Sequence, residues 1–146
     1  MRCTCFALRK LNRTVSRLYD QHLARAGLKT TQYSLLKWIS AEALPIAGLA
    51  ARMNTERTTL TRNLKPLIDA GWVVLKAGSD SRQRIATITP AGTRTVAAAR
   101  DAWRAAQSEL ETALGADAVH DLHLQVDTAL IRLNPLLERQ DDGIDD

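Results

Sequence analysis

The chain has 146 residues, 45 % hydrophobic and 25 % charged, with a formal net charge of +4. That length suggests one compact domain able to bury its own core, and the apolar share argues against a largely disordered chain. No run approaches the roughly 20 apolar residues of a membrane span, and residues 1–10 lack a leader-like apolar stretch, so the expected setting is the cytosol with no membrane partner.

Charge is unevenly placed. Residues 1–51 carry eight Lys/Arg against two acids and residues 52–84 seven against three, while residues 109–146 carry two against ten. A basic body with an acidic end points to a polyanionic partner. Cys3 and Cys5, one residue apart, make no disulfide framework and fit a reducing compartment.

In chain order, Leu8, Leu11, Val15, Leu18 and Leu23 recur at steps of three to five, an amphipathic helix ended by Gly27. A second helix is expected from a Thr30 or Thr31 cap through Tyr33, Leu36 and Trp38 to about Glu42, where Pro45 breaks the chain. Ile46 to about Met53 reads as a short helix with Ile46, Leu49, Ala50 and Met53 inward. Asn54 or Thr55 is then the expected cap of a helix from about Glu56 to Ala70, with Pro66 inside it and Gly71 ending it.

The texture then changes. Trp72 to Leu75 and Ile85 to Ile88 are strand-like runs around a polar turn, a β-hairpin serving as a wing. Thr89 as cap and Pro90 at the first helical position open a long helix with a seam of Val96, Ala99, Trp103, Ala106, Leu110 and Leu114. Gly115 interrupts it. A last helix carries Val119, Leu122, Val126, Ala129, Leu130, Leu133 and Leu137, and disorder is expected from Gln140. Burying these terminal seams against a second copy makes a two-fold homodimer the simplest closed arrangement.

The expected fold class is therefore mainly α with a small β-hairpin wing, a winged helix-turn-helix flanked by dimerisation helices. Thr55, Arg57, Thr58, Thr59, Thr61, Arg62 and Lys65 crowd one helix, opposite Leu60, Leu64 and Leu67. Such a helix fits a major groove about 12 Å wide, with arginines reaching guanine edges or phosphates and threonines reaching phosphate oxygens or thymine methyls. Lys65, farther along, suits a phosphate. A polar helix face is by itself usually just solvated. The adjoining turn adds Asp80, Ser81, Arg82 and Arg84, where Arg82 can enter the minor groove, and the two elements together point to double-stranded DNA.

From about Cys5 to Leu137 the chain resembles the MarR family of bacterial transcriptional regulators. The resemblance rests on Thr59-Leu60-Thr61-Arg62-Asn63-Leu64-Lys65-Pro66-Leu67, Gly71-Trp72-Val73, Asp80-Ser81-Arg82 and Ile88-Thr89-Pro90-Ala91-Gly92. It implies a single family-type domain over 1–140, with dimerisation helices in 1–28 and 90–137, a winged helix-turn-helix in 30–89, and an acidic tail over 138–146. It implies a dimer on a palindromic site, repression as the default, Arg82 as the wing arginine and Asp80 positioning it by a charge-assisted hydrogen bond.

The resemblance further implies an input signal. One form is a small aromatic acid in a cleft lined by Tyr19, His22, Tyr33, Trp38 and Trp103, with Arg13 or Arg17 holding its carboxylate. The other is thiol oxidation at Cys3 and Cys5, near a helix start that favours thiolate. No cofactor and no metal are expected: His120 and His123 have helical i, i+3 spacing but few companion ligands. Without a phosphate-cradling glycine loop or a convincing nucleophile–base pair beyond Cys5 and a distant His, no enzyme is expected either. The rival from another class is a winged-helix adaptor that binds protein rather than DNA.

Overall fold

The computed structural model describes residues 3–80 and 82–141, and the side chains of these up to residue 136. The order is α1 (Thr4–Leu23) with a 3-10 turn (Ala24–Ala26), α2 (Thr30–Ala41), β1 (Leu44–Pro45), α3 (Ile46–Arg52), α4 (Arg57–Asp69), β2 (Val73–Ala77), β3 (Arg84–Ile88), α5 (Pro90–Leu114) and α6 (Ala116–Asp141). Two compact units are distinguished along the chain, residues 1–106 and 107–146. Among the described residues no helix is long and apolar enough to cross a membrane.

The first unit buries Leu23, Leu35, Leu36, Leu49, Leu60, Leu64, Leu67 and Val73 almost completely. α1 ends through Gly27 in the left-handed region (φ 69°), whose neighbour Leu28 donates its N–H to the Leu23 carbonyl. α2 starts differently from expectation. Thr30 is its first helical residue rather than its cap, because both its N–H and its hydroxyl donate to Asp20 Oδ1 at 2.7 Å. A carboxylate on α1 thus satisfies an orphan donor of α2.

The α3–α4 turn also departs from the predicted capping. Asn54 takes the left-handed conformation (φ 48°) and donates to Ala51, while Thr55 donates its N–H to the Ala50 carbonyl at 3.0 Å. These two residues close α3 in a Schellman arrangement, leaving Glu56 as the N-cap of α4 without a side-chain cap bond. Pro66 does not end α4, which continues to Asp69. Gly71 (φ 73°) then stops it, with Gly71 donating to Ile68 and Trp72 to Leu67.

The hairpin is as predicted, with Val73 opposite Ile88 and Ala77 opposite Arg84. It belongs to a three-stranded antiparallel sheet ordered β1-β3-β2, which sequence reasoning missed. Pro45, expected to break the chain, pairs with Ile85 on the edge strand, where its missing N–H costs little.

Thr89 works as the predicted cap. Its Oγ1 accepts from Gly92 N–H at 3.1 Å while its hydroxyl donates to the Gly71 carbonyl at 2.7 Å, and its N–H donates to the Trp72 carbonyl. A Cβ on Gly92 would collide with the Trp72 carbonyl oxygen and with the Ile88 side chain. Thr-Pro-x-Gly is therefore a stitch that holds the start of α5 against the end of α4 and the sheet.

In the second unit α6 is helical to Asp141, beyond the start of the expected tail, and residues 142–146 lie outside the described residues. Val119 is buried, but Leu124, Val126, Leu130, Ile131, Leu133 and Leu136 are exposed, Ile131 by 75 %. Phe6, Leu8 and Leu11 on α1 are exposed likewise.

Candidate nucleic-acid interface

α4 divides its two faces as the periodicity requires. Leu60, Leu64 and Leu67 are buried, while Arg57, Thr58, Thr61, Arg62 and Lys65 are exposed and line one shallow depression of about 720 Å³ with Ile68 and Asp69. Thr55 and Thr59 are half-buried and are not among its lining residues. Thr61 donates its hydroxyl proton to the Arg57 carbonyl at 2.9 Å, so what it keeps for a base edge is an accepting oxygen and its methyl. Lys65 Nζ lies 2.8 Å from Asp69 Oδ2, an exposed i, i+4 pair. Such pairs contribute at most about 1 kcal/mol, so Lys65 can exchange Asp69 for a phosphate at small cost.

The wing turn is built by its own backbone. Gln83 donates to the Asp80 carbonyl (2.9 Å) and Gly78 to the Gln83 carbonyl (3.0 Å), and a Cβ on Gly78 would collide with the Gln83 side chain. The charge-assisted bond expected from Asp80 to Arg82 runs to the Arg82 backbone N–H (3.0 Å), so Asp80 fixes the turn from which the guanidinium projects. Arg82 and Arg84 are exposed. Ser81 lies outside the described residues. A second depression, about 250 Å³, is lined by Asp80, Arg82, Gln83 and Arg84 of the hairpin, by residues 45–47, and by Arg57. Arg57 thus joins the helix face to the wing, a convergence that the run of residues in sequence does not reveal.

Of the residues predicted for an aromatic ligand, three come together. Tyr33 and Trp38 of α2 and Trp103 of α5 line a cleft of about 400 Å³ with Ser34, Lys37, Arg100 and Arg104. Tyr33 and Trp103 stack with ring centroids 6.3 Å apart and planes 25° off parallel. Burial raises the Tyr33 phenol above its ordinary range, partly offset by the positive charges of Arg100 and Arg104, so it stays neutral near pH 7. Tyr19 is buried and His22 half-buried, and Arg13 and Arg17 are exposed on α1; none of the four lines this cleft. The cations beside the aromatics are Lys37, Arg100 and Arg104, which sequence reasoning missed. The available signal was the i, i+4 spacing of Arg100 and Arg104 around Trp103 and of Tyr33 and Lys37 on α2.

Trp38 also faces the helix-turn-helix. The Arg52 guanidinium carbon lies 5.9 Å from its ring centroid, and Arg52 Nη2 pairs with Glu42 Oε2 at 2.9 Å. Cys3, at the N-cap of α1, and Cys5 in its first turn are exposed free thiols. His120 and His123 are exposed on α6, and among the described residues no group of three or more potential metal ligands stands together.

A buried three-helix core, a basic threonine- and arginine-bearing helix and a β-hairpin beside it define a winged helix-turn-helix protein. A model described as the MarR family matches residues 26–83. Among solved structures, the Mycobacterium tuberculosis transcriptional regulator MosR, crystallised in complex with DNA, is 34 % identical, with 88 % of this chain and 96 % of that one covered and a TM-score of 0.78. A second crystal structure of MosR is 32 % identical over 90 % and 97 %, with a TM-score of 0.75. A mutant of Escherichia coli MarR, complexed with operator DNA, is 23 % identical over 85 % and 91 % and shares the fold at a TM-score of 0.76. Among curated protein sequences nothing matches the chain. The chain belongs to the MarR family of transcriptional regulators, which are not enzymes.

Proposed function

We propose that this regulator is a repressor that binds a palindromic operator as a homodimer and is released by a small aromatic anion. The observation that carries the DNA reading is Arg57, which lines both the α4 depression and the wing depression and makes one continuous basic surface with Arg62, Lys65, Arg82 and Arg84. Exposed arginines and threonines of this kind read base edges and phosphates. MosR, a third identical, is described in complex with DNA, which supports the same partner here. Gel shift of the purified protein on the duplex upstream of its own gene, across several salt concentrations, tests this. Specific binding far above that to random duplex is expected, and equal binding to both would refute it.

Self-association is supported by the exposed Phe6, Leu8 and Leu11 of α1 and by the exposed leucines and Ile131 of α6, large apolar side chains that a monomer would leave in water. Pairing two copies also supplies the two recognition helices that a palindrome demands. Sedimentation should find a dimer at working concentrations.

Release is supported by the cleft between α2 and α5. Its volume falls within the range of about 300–1,000 Å³ common to small-molecule sites, and it combines aromatic walls with cations. Trp38 lines it and stacks against Arg52, the last residue of α3, so a ligand touching Trp38 reaches the helix-turn-helix through one side chain. Differential affinity for the two states of that contact is what moves the population off DNA.

A further inference from the structure

The α2–α5 cleft holds more positive charge than a single carboxylate can answer. Arg100 and Arg104 stand at i, i+4 on one face of α5, a spacing at which like charges repel, and Lys37 lines the same cleft from α2. Among the described residues, the carboxylate paired with this group is Asp101, 3.8 Å from Arg104 with its side chain 93 % exposed, which is a weak surface pairing. Trp38 and Trp103, exposed by 41 % and 37 %, leave open ring surface around the same space. Three cations with so little internal neutralisation, beside indoles that Tyr33 and Arg52 cover only in part, are complementary to something flat that carries more than one negative charge.

We infer that the cleft takes a planar aromatic dianion, one ring bearing two carboxylates, with Arg100 and Arg104 each holding one and Trp103 lying along the ring. This inference rests on the ligand-release reading above and narrows its chemistry. Guanidinium forks match carboxylate geometry in two parallel bonds, and a ring face beside indole gains from stacking. Benzoate satisfies one fork and leaves the other charge unanswered. Phthalate satisfies both.

The test is a titration of the full-length protein with benzoate, phthalate, isophthalate and cyclohexane-1,2-dicarboxylate, followed by tryptophan fluorescence and calorimetry. One additional charge-assisted interaction predicts that phthalate or isophthalate binds about tenfold or more tighter than benzoate. The saturated dicarboxylate should bind more weakly than phthalate. Arg100→Gln and, separately, Arg104→Gln should each bring the best dicarboxylate down to the benzoate level, with far-UV circular dichroism confirming that the helices are retained. If benzoate and the dicarboxylates bind equally well, or the preference survives both substitutions, the dianion inference is wrong while release by an aromatic acid stands. If no aromatic acid in the series binds, the ligand-release reading falls with it.

Discussion

The outward face of α4 and the cleft between α2 and α5 are both basic, and both belong to residues 1–106, yet the side chains set between their charges differ. α4 offers arginines spaced by threonines on an open helix face, with no aromatic ring among the residues lining it. The cleft offers arginines and a lysine spaced by tryptophans and a tyrosine around a smaller concavity. Positive charge alone does not identify a partner. The residues between the charges do: small hydrogen-bonding side chains suit groove edges and phosphates, whereas indole faces suit a flat ring.

The largest expected effect comes from the stitch that holds both regions together. Gly92→Ala places a methyl against the Trp72 carbonyl, a backbone atom with little room to yield, and should cost about 3 kcal/mol of stability. Thermal unfolding checks this. A melting temperature unchanged from wild type would mean that the start of α5 is not fixed there. Next, Arg62→Ala should weaken operator binding by about 1–3 kcal/mol while leaving the melting temperature in place. A loss spread equally over operator and random duplex would assign Arg62 to phosphate rather than base.

Smaller effects sharpen the contrast. Lys65→Ala should lower affinity at all sequences similarly and flatten the salt dependence by about one counter-ion. Its partner Asp69 makes a useful control, because Asp69→Asn frees Lys65 and should strengthen DNA binding slightly. Arg52→Ala removes an exposed pair and a ring contact, so its stability cost should stay below about 1 kcal/mol. What should change is the amount of aromatic acid needed for release from DNA. An unchanged release curve would mean that Trp38 does not signal through Arg52.

Much of the fold was legible because its signals are local. Gly71 and Gly27 stop their helices where a left-handed residue is required, and Thr89-Pro90 opens α5 as a cap followed by a residue that needs no N–H donor. What escaped depends on residues far apart in sequence. β1 is two residues long and contains a proline, and only the distant Ala86 and Ile85 make it a strand. Thr30 has the side chain of a cap, but Asp20, ten residues earlier, holds it as the first helical residue. Asn54 and Thr55 finish α3 rather than start α4, a choice made by the Ala50 and Ala51 carbonyls.

The two sites follow the same rule. On α4 the proposed DNA-contacting side chains share one helix, so periodicity alone groups them on one face. In the cleft the aromatics were recognisable by type, but their cationic neighbours were not, since α2 and α5 are about sixty residues apart in the chain. Arg13 and Arg17, expected to hold the carboxylate, lie outside the lining, whereas Arg100 and Arg104 line it.

Hydroxyl-radical footprinting on the duplex upstream of the gene tests the central claim most directly, because it reads recognition and pairing together. Two protected half-sites are predicted, related by a two-fold axis and about one helical turn, roughly 10 base pairs, from centre to centre. One isolated protected stretch, or uniform protection without a boundary, would contradict it.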